Sequence, residues 1–398
     1  MLTELRWDPY NAEQRRNPYE TWRRLRDEAP VYHNEEFGFY AISRYQDVYD
    51  ASLDTARFSS TGGTQIDVIG QPLHPVMEAM IIHMDPPRHD AFRRVVARSF
   101  TPRRIGDLEP RIRELCARYL DPFVGSGGFD YVREFSMKLP VMVINTLLGF
   151  PEEDHEQLRE WSDLALYREE GKAGPPEVSV KAREEEAVYI AGHVAKRRAD
   201  PQDDMISALT QVGFEDVDGT VRKLTDLEVM AMVNLISAAG NETVARFLGW
   251  ACLVLADHPD QRAELVADPG LVPAAVEELL RFEAPSPTQG RMALEDITLH
   301  GVTIPRGSPV ALLTGSAGRD ERQYDDPDRF DIHRRFDKHV SLGYGTHYCL
   351  GAALARMEGR VGIQETLARF PEWDVDRDAV RFVETNTVRG PSSSPITL

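Results

Sequence analysis

The sequence predicts a mainly α protein with a smaller β-rich part. Apolar residues recur at helical spacing over most of the chain, whereas strictly alternating apolar and polar residues occur in only a few stretches. No linker, repeat or low-complexity tract interrupts the 398 residues, so we expect a single domain over 1–398. The β-rich part is expected near 31–60, 296–315 and 375–398.

The predicted helices follow from the spacing of apolar positions and from end signals. The shorter ones are expected near 19–28, 107–123, 135–148, 152–167, 178–198 and 350–370. The longest begins with a capping box formed by Thr225 and Glu228, continues with helical spacing to Leu255 and is closed by Pro259. At about 1.5 Å per residue, this helix is long enough to cross the whole protein.

Composition narrows the class of protein. Lys and Arg total 46 against 65 Asp and Glu, a net charge of −19, which argues against a nucleic-acid partner. The longest apolar run, near 247–256, is well short of the roughly 20 residues that a membrane span needs. The first residues do not begin a signal peptide, so we expect a cytoplasmic protein without membrane contact. Three scattered cysteines indicate no disulfide framework.

One of these cysteines lies in an unusual environment. Cys349 follows a loop that contains Gly343 and Gly345, and Gly351 follows it at the start of a predicted helix. Glycines at this density let a backbone approach something large, and free N–H groups at a helix N-terminus favour a thiolate. Cys116 and Cys252 instead occupy apolar helical patterns typical of core residues.

Two kinds of site are excluded for this loop. A structural zinc site needs a second pair of Cys or His ligands, and the chain has none. A dinucleotide-binding loop would need a third glycine where Tyr348 stands. A single-thiolate metal ligand remains, which is the axial ligation of some haem enzymes.

The run from Leu342 to Gly351 resembles the haem-binding loop of the cytochrome P450 family, Phe-Gly-x-Gly-x-His/Arg-x-Cys-x-Gly, with Leu342 in place of Phe. The resemblance implies the cytochrome P450 fold, in which haem b is buried between the long central helix and this loop. Cys349 would be the iron ligand, with Gly343 and His347 also in the haem site. The resemblance implies that the change to leucine affects the fine tuning of the properties of the iron and does not affect its ligation by Cys349.

A second motif, Ala239-Gly240-Asn241-Glu242-Thr243, lies at the centre of the long helix. A glycine within a helix costs about 1 kcal/mol relative to alanine, so close approach of a planar group or a tight helix contact could explain Gly240. Thr243 could bond its own backbone. In the family this stretch lies over the haem, and the resemblance implies that Glu242 and Thr243 deliver protons there while Ala239 and Gly240 contact the cofactor.

A third motif, Glu278-Leu-Leu-Arg281, places an acid and a base on one helix face between Pro273 and Pro285. Such a pair is often only a weak surface ion pair. The resemblance implies instead a buried structural triad of Glu278, Arg281 and Arg329, the last from Pro327-Asp-Arg-Phe.

His89 and Arg93 lie one turn apart in a helix that begins after Pro86-Pro87. They could form a solvated basic face. The resemblance implies that they bind the haem propionates together with Arg291 and His347. The motifs follow the family order from residue 85 to residue 351.

The resemblance further implies a haem-thiolate monooxygenase that inserts one oxygen atom of O2 into a hydrophobic small molecule, such as a terpenoid, steroid, fatty acid or macrolide-like compound. The chain has no flavin or iron–sulfur motif, so electrons would come from ferredoxin and ferredoxin reductase, with NAD(P)H upstream. A peroxide-driven haem hydroxylase and a haem-based gas sensor without turnover are alternatives.

Seven arginines gather near the predicted thiolate and could steer an acidic ferredoxin, or could form only a solvated face. These are Arg93, Arg94, Arg98, Arg103, Arg104, Arg356 and Arg360.

Overall fold

The computed structural model describes residues 5–398, and helices dominate it, as predicted. The α-helices are α1 (Ala12–Arg16), α2 (Tyr19–Glu28), α3 (Tyr45–Leu53), α4 (Pro75–Glu78), α5 (Arg88–Ala97), α6 (Pro102–Gly106), α7 (Glu109–Leu120), α8 (Lys138–Leu148), α9 (His155–Leu166), α10 (Glu177–Ala199), α11 (Met205–Gln211), α12 (Asp226–Asp257), α13 (Pro259–Ala267), α14 (Val272–Phe282), α15 (Thr314–Ala317) and α16 (Ala352–Arg369). The expected helices are present. The one near 135–148 begins as α8 only at Lys138, because 132–136 form a π-helical turn.

The strands are short and lie in the three stretches expected to be β-rich, with further pairs elsewhere. They are β1 (Val31–Asn34), β2 (Phe39–Ile42), β3 (Phe58–Ser59), β4 (Gly128–Asp130), β5 (Gly213–Glu215), β6 (Val221–Lys223), β7 (Gln289–Ala293), β8 (Ile297–Leu299), β9 (Val302–Ile304), β10 (Pro309–Leu312), β11 (Asp374–Val375), β12 (Arg381–Phe382), β13 (Pro391–Ser393) and β14 (Pro395–Thr397). The largest sheet has the order β1-β2-β10-β7-β3. Within it only β2 and β10 pair in parallel.

The central helix is α12, 32 residues long and on the order of 48 Å at 1.5 Å per residue. Its N-terminus has the predicted capping box: the Thr225 N–H donates to Glu228 Oε2 at 2.8 Å, and the Glu228 N–H donates to Thr225 Oγ1 at 3.2 Å. Most of its residues are buried, and it packs against α8, α10 and α16. α12 is therefore surrounded by protein along most of its length.

Two hydrophobic clusters position the site. The larger surrounds α12 and includes residues of α5, α7, α8, α14 and α16. The smaller lies on the main sheet and includes Tyr45 and Val310. Among residues 5–398, no helix combines the length and the apolarity that crossing a bilayer requires.

Candidate active site

The loop before α16 folds back so that Cys349 lies next to its own beginning. The Cys349 N–H donates to the Leu342 carbonyl at 2.8 Å. Gly343 and Gly345 have φ of 70° and 65°, the left-handed region that favours glycine. A Cβ at Gly345 would lie 2.8 Å from the carbonyl oxygen of Ser52, so this position has no room for a side chain.

Gly351 is the N-cap residue of α16, and its N–H lowers the pKa of the Cys349 thiol. Burial nevertheless raises the pKa of the Cys349 thiol, against the opposing effects of that N–H, Arg93 and Arg356. The N–H at the start of α16 therefore favours the thiolate, the direction expected from the sequence, although burial outweighs it. A coordinated cation would deprotonate the thiol, because metal coordination stabilises the thiolate.

The other two cysteines are core residues, as predicted. Cys116 and Cys252 are buried in the main hydrophobic cluster. Burial raises the pKa of each thiol to about 12.

Helix α5 is attached directly to the cysteine loop. Arg93 donates to the carbonyl oxygens of Thr346, at 3.1 Å, and Tyr348, at 2.6 Å. The His89 ring is buried, with its centroid 4.6 Å from that of the His347 ring. His89 and Arg93 thus do not form a solvated face.

Arg291 brings a buried cation to the same place. It lies on β7 and donates to the Gly290 carbonyl at 2.7 Å, and no carboxylate lies within 4 Å of it among residues 5–398. Burial lowers its pKa to about 10. Burial, followed by the charges of Arg291, His89 and Arg93, lowers the pKa of His347 to about 2.

Four nitrogen-bearing side chains therefore meet, and neither of the two arginines among them pairs with a carboxylate of residues 5–398. Of the acids nearby, Asp90 Oδ1 lies 3.2 Å from His89 Nδ1, and Asp85 accepts hydrogen bonds from Ser59 and from the backbone N–H of Ser60. A buried arginine without a carboxylate partner is costly, and an anionic ligand would remove that cost. This donor set fits the two propionates of a haem, and Cys349 fits its axial ligand.

The centre of α12 also faces open space on one side. Ala239 is exposed and Thr243 is half-exposed, although the neighbouring residues Asn241, Glu242 and Val244 are buried. The Thr243 hydroxyl donates to the Ala239 carbonyl at 2.8 Å, so it bonds its own backbone, one of the two alternatives that the sequence left open.

Comparison with known proteins agrees with this geometry. The model of the family described as cytochrome P450 matches residues 180–392, more than half of the chain. A Mycobacterium bovis protein provisionally named cytochrome P450 123 is 40% identical over 396 residues, 99% of this chain and 97% of the relative. The chain belongs to the cytochrome P450 family.

Two further relatives carry informative names. The vitamin D(3) 25-hydroxylase of Pseudonocardia autotrophica is 37% identical over 387 residues, 96% of this chain and 94% of the relative. The structure of a cytochrome P450 from Bacillus megaterium in complex with testosterone has a TM-score of 0.87 and 30% identity, and covers 98% of that chain and 97% of this one. This cytochrome P450 is thus a monooxygenase of the family, with haem bound through a cysteine thiolate.

Gly240 of this cytochrome P450 lies in a tight helix contact, one of the two explanations that the sequence left open. A Cβ at this position would lie 2.8 Å from Cγ1 of Ile144 on α8. The glycine therefore allows α8 and α12 to approach, and tight helix packing is sufficient to explain the missing side chain.

Glu242 is buried and forms a salt bridge one turn along α12. Arg246 Nη2 lies 3.0 Å from Glu242 Oε2, and Arg246 Nη1 donates to the Pro391 carbonyl at 2.6 Å. Burial alone would raise the pKa of Glu242, but Arg246, a hydrogen bond with Asp163 and the charge of Arg159 bring it below its usual value. Arg246 could have been found from its i,i+4 spacing, whereas Asp163 on α9 has no signal in the sequence.

The predicted structural triad is correct for two residues and wrong for the third. Glu278 and Arg281 form a bidentate pair with both contacts at 2.7 Å and no exposed side-chain surface. Arg329 is 65% exposed and pairs with Asp331. Arg334 instead lies 3.1 Å from Glu278.

The physical reason is the direction of the chain after Pro327. Phe330 is buried in the main cluster, which turns its neighbour Arg329 outwards. Arg334 lies on the inner side of the following turn, where it also donates to the carbonyls of Asp325, Asp326 and Arg329. The third member of the triad is therefore Arg334.

Proposed function

We propose that this cytochrome P450 takes electrons from a ferredoxin and hydroxylates or epoxidises a hydrophobic small molecule. Terpenoids, steroids, fatty acids and macrolide-like compounds are the candidate classes. A steroid-like skeleton is favoured, because one relative is named for vitamin D(3) hydroxylation and another binds testosterone. The overall reaction consumes O2, two electrons and two protons, puts one oxygen atom into the substrate and releases the other as water.

The roles of individual residues are part of the proposal. Cys349 would bind the iron, while His89, Arg93, Arg291 and His347 would bind the propionates through charge-assisted hydrogen bonds. The bound haem supplies the chemistry of oxygen activation.

At the centre of α12, Glu242 would receive a proton and pass it to the Thr243 hydroxyl, which faces open space. The Ala239 carbonyl would orient that hydroxyl.

The ferredoxin proposal is supported by four exposed arginines near Cys349. Of the seven arginines in the predicted group, Arg356 pairs with Glu277 and Arg360 with Glu109, while Arg93 binds the loop. The other four are exposed, with no acidic oxygen within 4 Å among the described residues: Arg94, Arg98, Arg103 and Arg104. They lie on or beside α5 and α6, which contact the cysteine loop and α16. An acidic ferredoxin would meet this surface close to Cys349.

The experiment measures the rate of haem reduction by a reduced ferredoxin at increasing salt concentration. We expect the rate to fall steeply with salt, and to fall at low salt in the Arg103→Glu variant. Lys181→Glu is the matched control: it makes the same change of charge on α10, which packs against α9, α11 and α12. Equal effects of the two variants, or a rate independent of salt, would contradict the proposal.

A second measurement separates this function from its alternatives. Efficient product formation from hydrogen peroxide alone would identify a peroxide-driven hydroxylase, and absence of turnover with every reductant would favour a gas sensor. The substrate class is tested by shifts of the haem absorption band with testosterone, vitamin D(3), a fatty acid and a macrolide.

We further propose that 1–398 fold as one domain in the cytoplasm, where NAD(P)H is supplied.

A further inference from the structure

We propose that Asp163 is a positioning residue for Glu242: the two carboxyl groups share one proton, and Asp163 connects Glu242 to water at the protein surface. This inference rests on the proton-delivery role proposed for Glu242. It concerns a residue of α9 outside the family motifs of the sequence.

One of the two carboxylate oxygens of Asp163 has no hydrogen-bond donor among the described residues. Its Oδ1 is buried and accepts no hydrogen bond from the described residues. Arg246 Nη2, which lies 3.0 Å from Glu242 Oε2, is 3.9 Å from this oxygen. Arg159 donates to the other oxygen, Oδ2. Both acids thus lie within 4 Å of the same guanidinium nitrogen, so the neighbour of Oδ1 is itself an acceptor, the carboxylate of Glu242.

Two neighbouring carboxylates repel each other strongly when both are ionised, which favours a pair that holds one proton. The environment decides which member carries it. Burial, followed by the charge and hydrogen bond of Glu242, raises the pKa of Asp163 against Arg159 and Arg246. The pKa of Glu242 is lowered. At neutral pH Asp163 is therefore the protonated member, and its O–H donates to Glu242.

The side chains around Asp163 and Glu242 extend from the buried part of α12 to the protein surface. Asp163 has 29% of its side chain exposed, whereas Glu242 has 6%. On the same face of α9, Arg159 also binds Glu156, which is 65% exposed. Asp163 would pass its proton to the ionised Glu242, and Glu242 would pass a proton on to Thr243. Asp163 would then regain one from water, so that protons balance over each cycle.

The first test detects the shared proton in the unmodified protein. In the haem-loaded enzyme at neutral pH, we expect an infrared C=O band of a protonated carboxylic acid that shifts when aspartate is labelled with carbon-13. Asp163 is the aspartate of this chain with a raised pKa, whereas the buried acids Glu186 and Glu358 are glutamates and keep their bands. Absence of an aspartate-dependent band would overturn the inference, whatever the turnover.

The second test links Asp163 to proton delivery. Asp163→Asn should lose the aspartate band, lower the product formed per electron several-fold and increase the solvent deuterium isotope effect on turnover. Asp163→Glu should restore the product per electron and the isotope effect, and its carboxylic-acid band should shift with carbon-13 glutamate instead. Glu160→Gln, the same kind of change at an exposed position of α9, should leave them unaltered.

Glu242→Gln distinguishes failure of this inference from failure of the proposed function. If Glu242→Gln leaves the product per electron unchanged, the proposed proton delivery itself fails. If Glu242→Gln lowers it and Asp163→Asn does not, only the role of Asp163 is overturned.

Discussion

The guanidinium of Arg93 lies 2.6 Å from the carbonyl oxygen of Tyr348, the residue directly before Cys349. A second bond, to Thr346, makes Arg93 a bridge between α5 and the cysteine loop. The residue expected to bind a propionate therefore also determines the position of the backbone that presents the sulfur.

Replacing Arg93 should loosen the cysteine loop. Arg93→Lys keeps the charge but cannot form both bonds in the same geometry. We expect the free energy of unfolding of the haem-loaded protein to fall by about 1.5–3 kcal/mol, the range for hydrogen bonds of charged groups. Urea titration followed by haem absorbance measures this loss. Arg94→Lys, at an exposed neighbouring position, should have no effect, and equal losses in the two variants would contradict the bridge.

The identity of the third triad residue can be tested by a pair of variants. Arg334→Ala removes a partner of the fully buried Glu278 and should destabilise the protein by about 3 kcal/mol or more. Arg329→Ala removes an exposed side chain and should change stability by less than about 0.5 kcal/mol. Thermal and denaturant unfolding measure both. A larger loss in Arg329→Ala would restore the assignment expected from the sequence.

Thr243→Ala should separate electron use from product formation. The variant loses the hydroxyl that donates to the Ala239 carbonyl, while the helix backbone is retained. We expect less product per NAD(P)H consumed, with the difference appearing as peroxide or extra water. Thr243→Ser, which keeps a hydroxyl, is the matched control and should stay close to the original coupling. Unchanged coupling in Thr243→Ala would remove this residue from the proposed relay.

Glu358 should make the protein less stable as the pH rises. It is fully buried on α16, its Oε2 has no hydrogen-bond partner among the described residues, and burial raises its pKa to about 8. Its contribution is fully present below the unfolded-state pKa of about 4.3 and is lost as pH rises through the folded pKa, at about 1.4 kcal/mol per unit.

Glu358→Gln should therefore flatten the fall in the free energy of unfolding between about pH 4.3 and pH 8. Denaturant titrations at several pH values measure this. Glu365→Gln on the same helix is the control, since Glu365 pairs with Arg369 and Arg113. The same slope in Glu358→Gln and the original protein would show that Glu358 is not the source.

Local patterns predicted the parts of the structure that depend on neighbouring residues. The capping box of α12, the glycine-rich loop before α16 and the pairing of Glu278 with Arg281 all lie within a few residues in sequence. The third triad residue could not be found in this way, because the turn after Pro327 determines which arginine faces inwards. The contact between Asp163 and Glu242 joins two helices and leaves no trace in either local pattern.

Gly240 shows a different limit of prediction from sequence. A glycine in mid-helix indicates close approach, but the sequence does not say of what, and the partner is Ile144.

The contact between Gly240 and Ile144 affects how mutational data on this protein should be interpreted. Any side chain at position 240 would force α8 and α12 apart, and the displaced segment includes Ala239 and Thr243. A screen that scores turnover alone would rank position 240 with the chemically active ones, although its contribution is steric. Compensating reductions in size at Ile144 would recover activity at position 240, and no such second-site recovery is expected for Cys349.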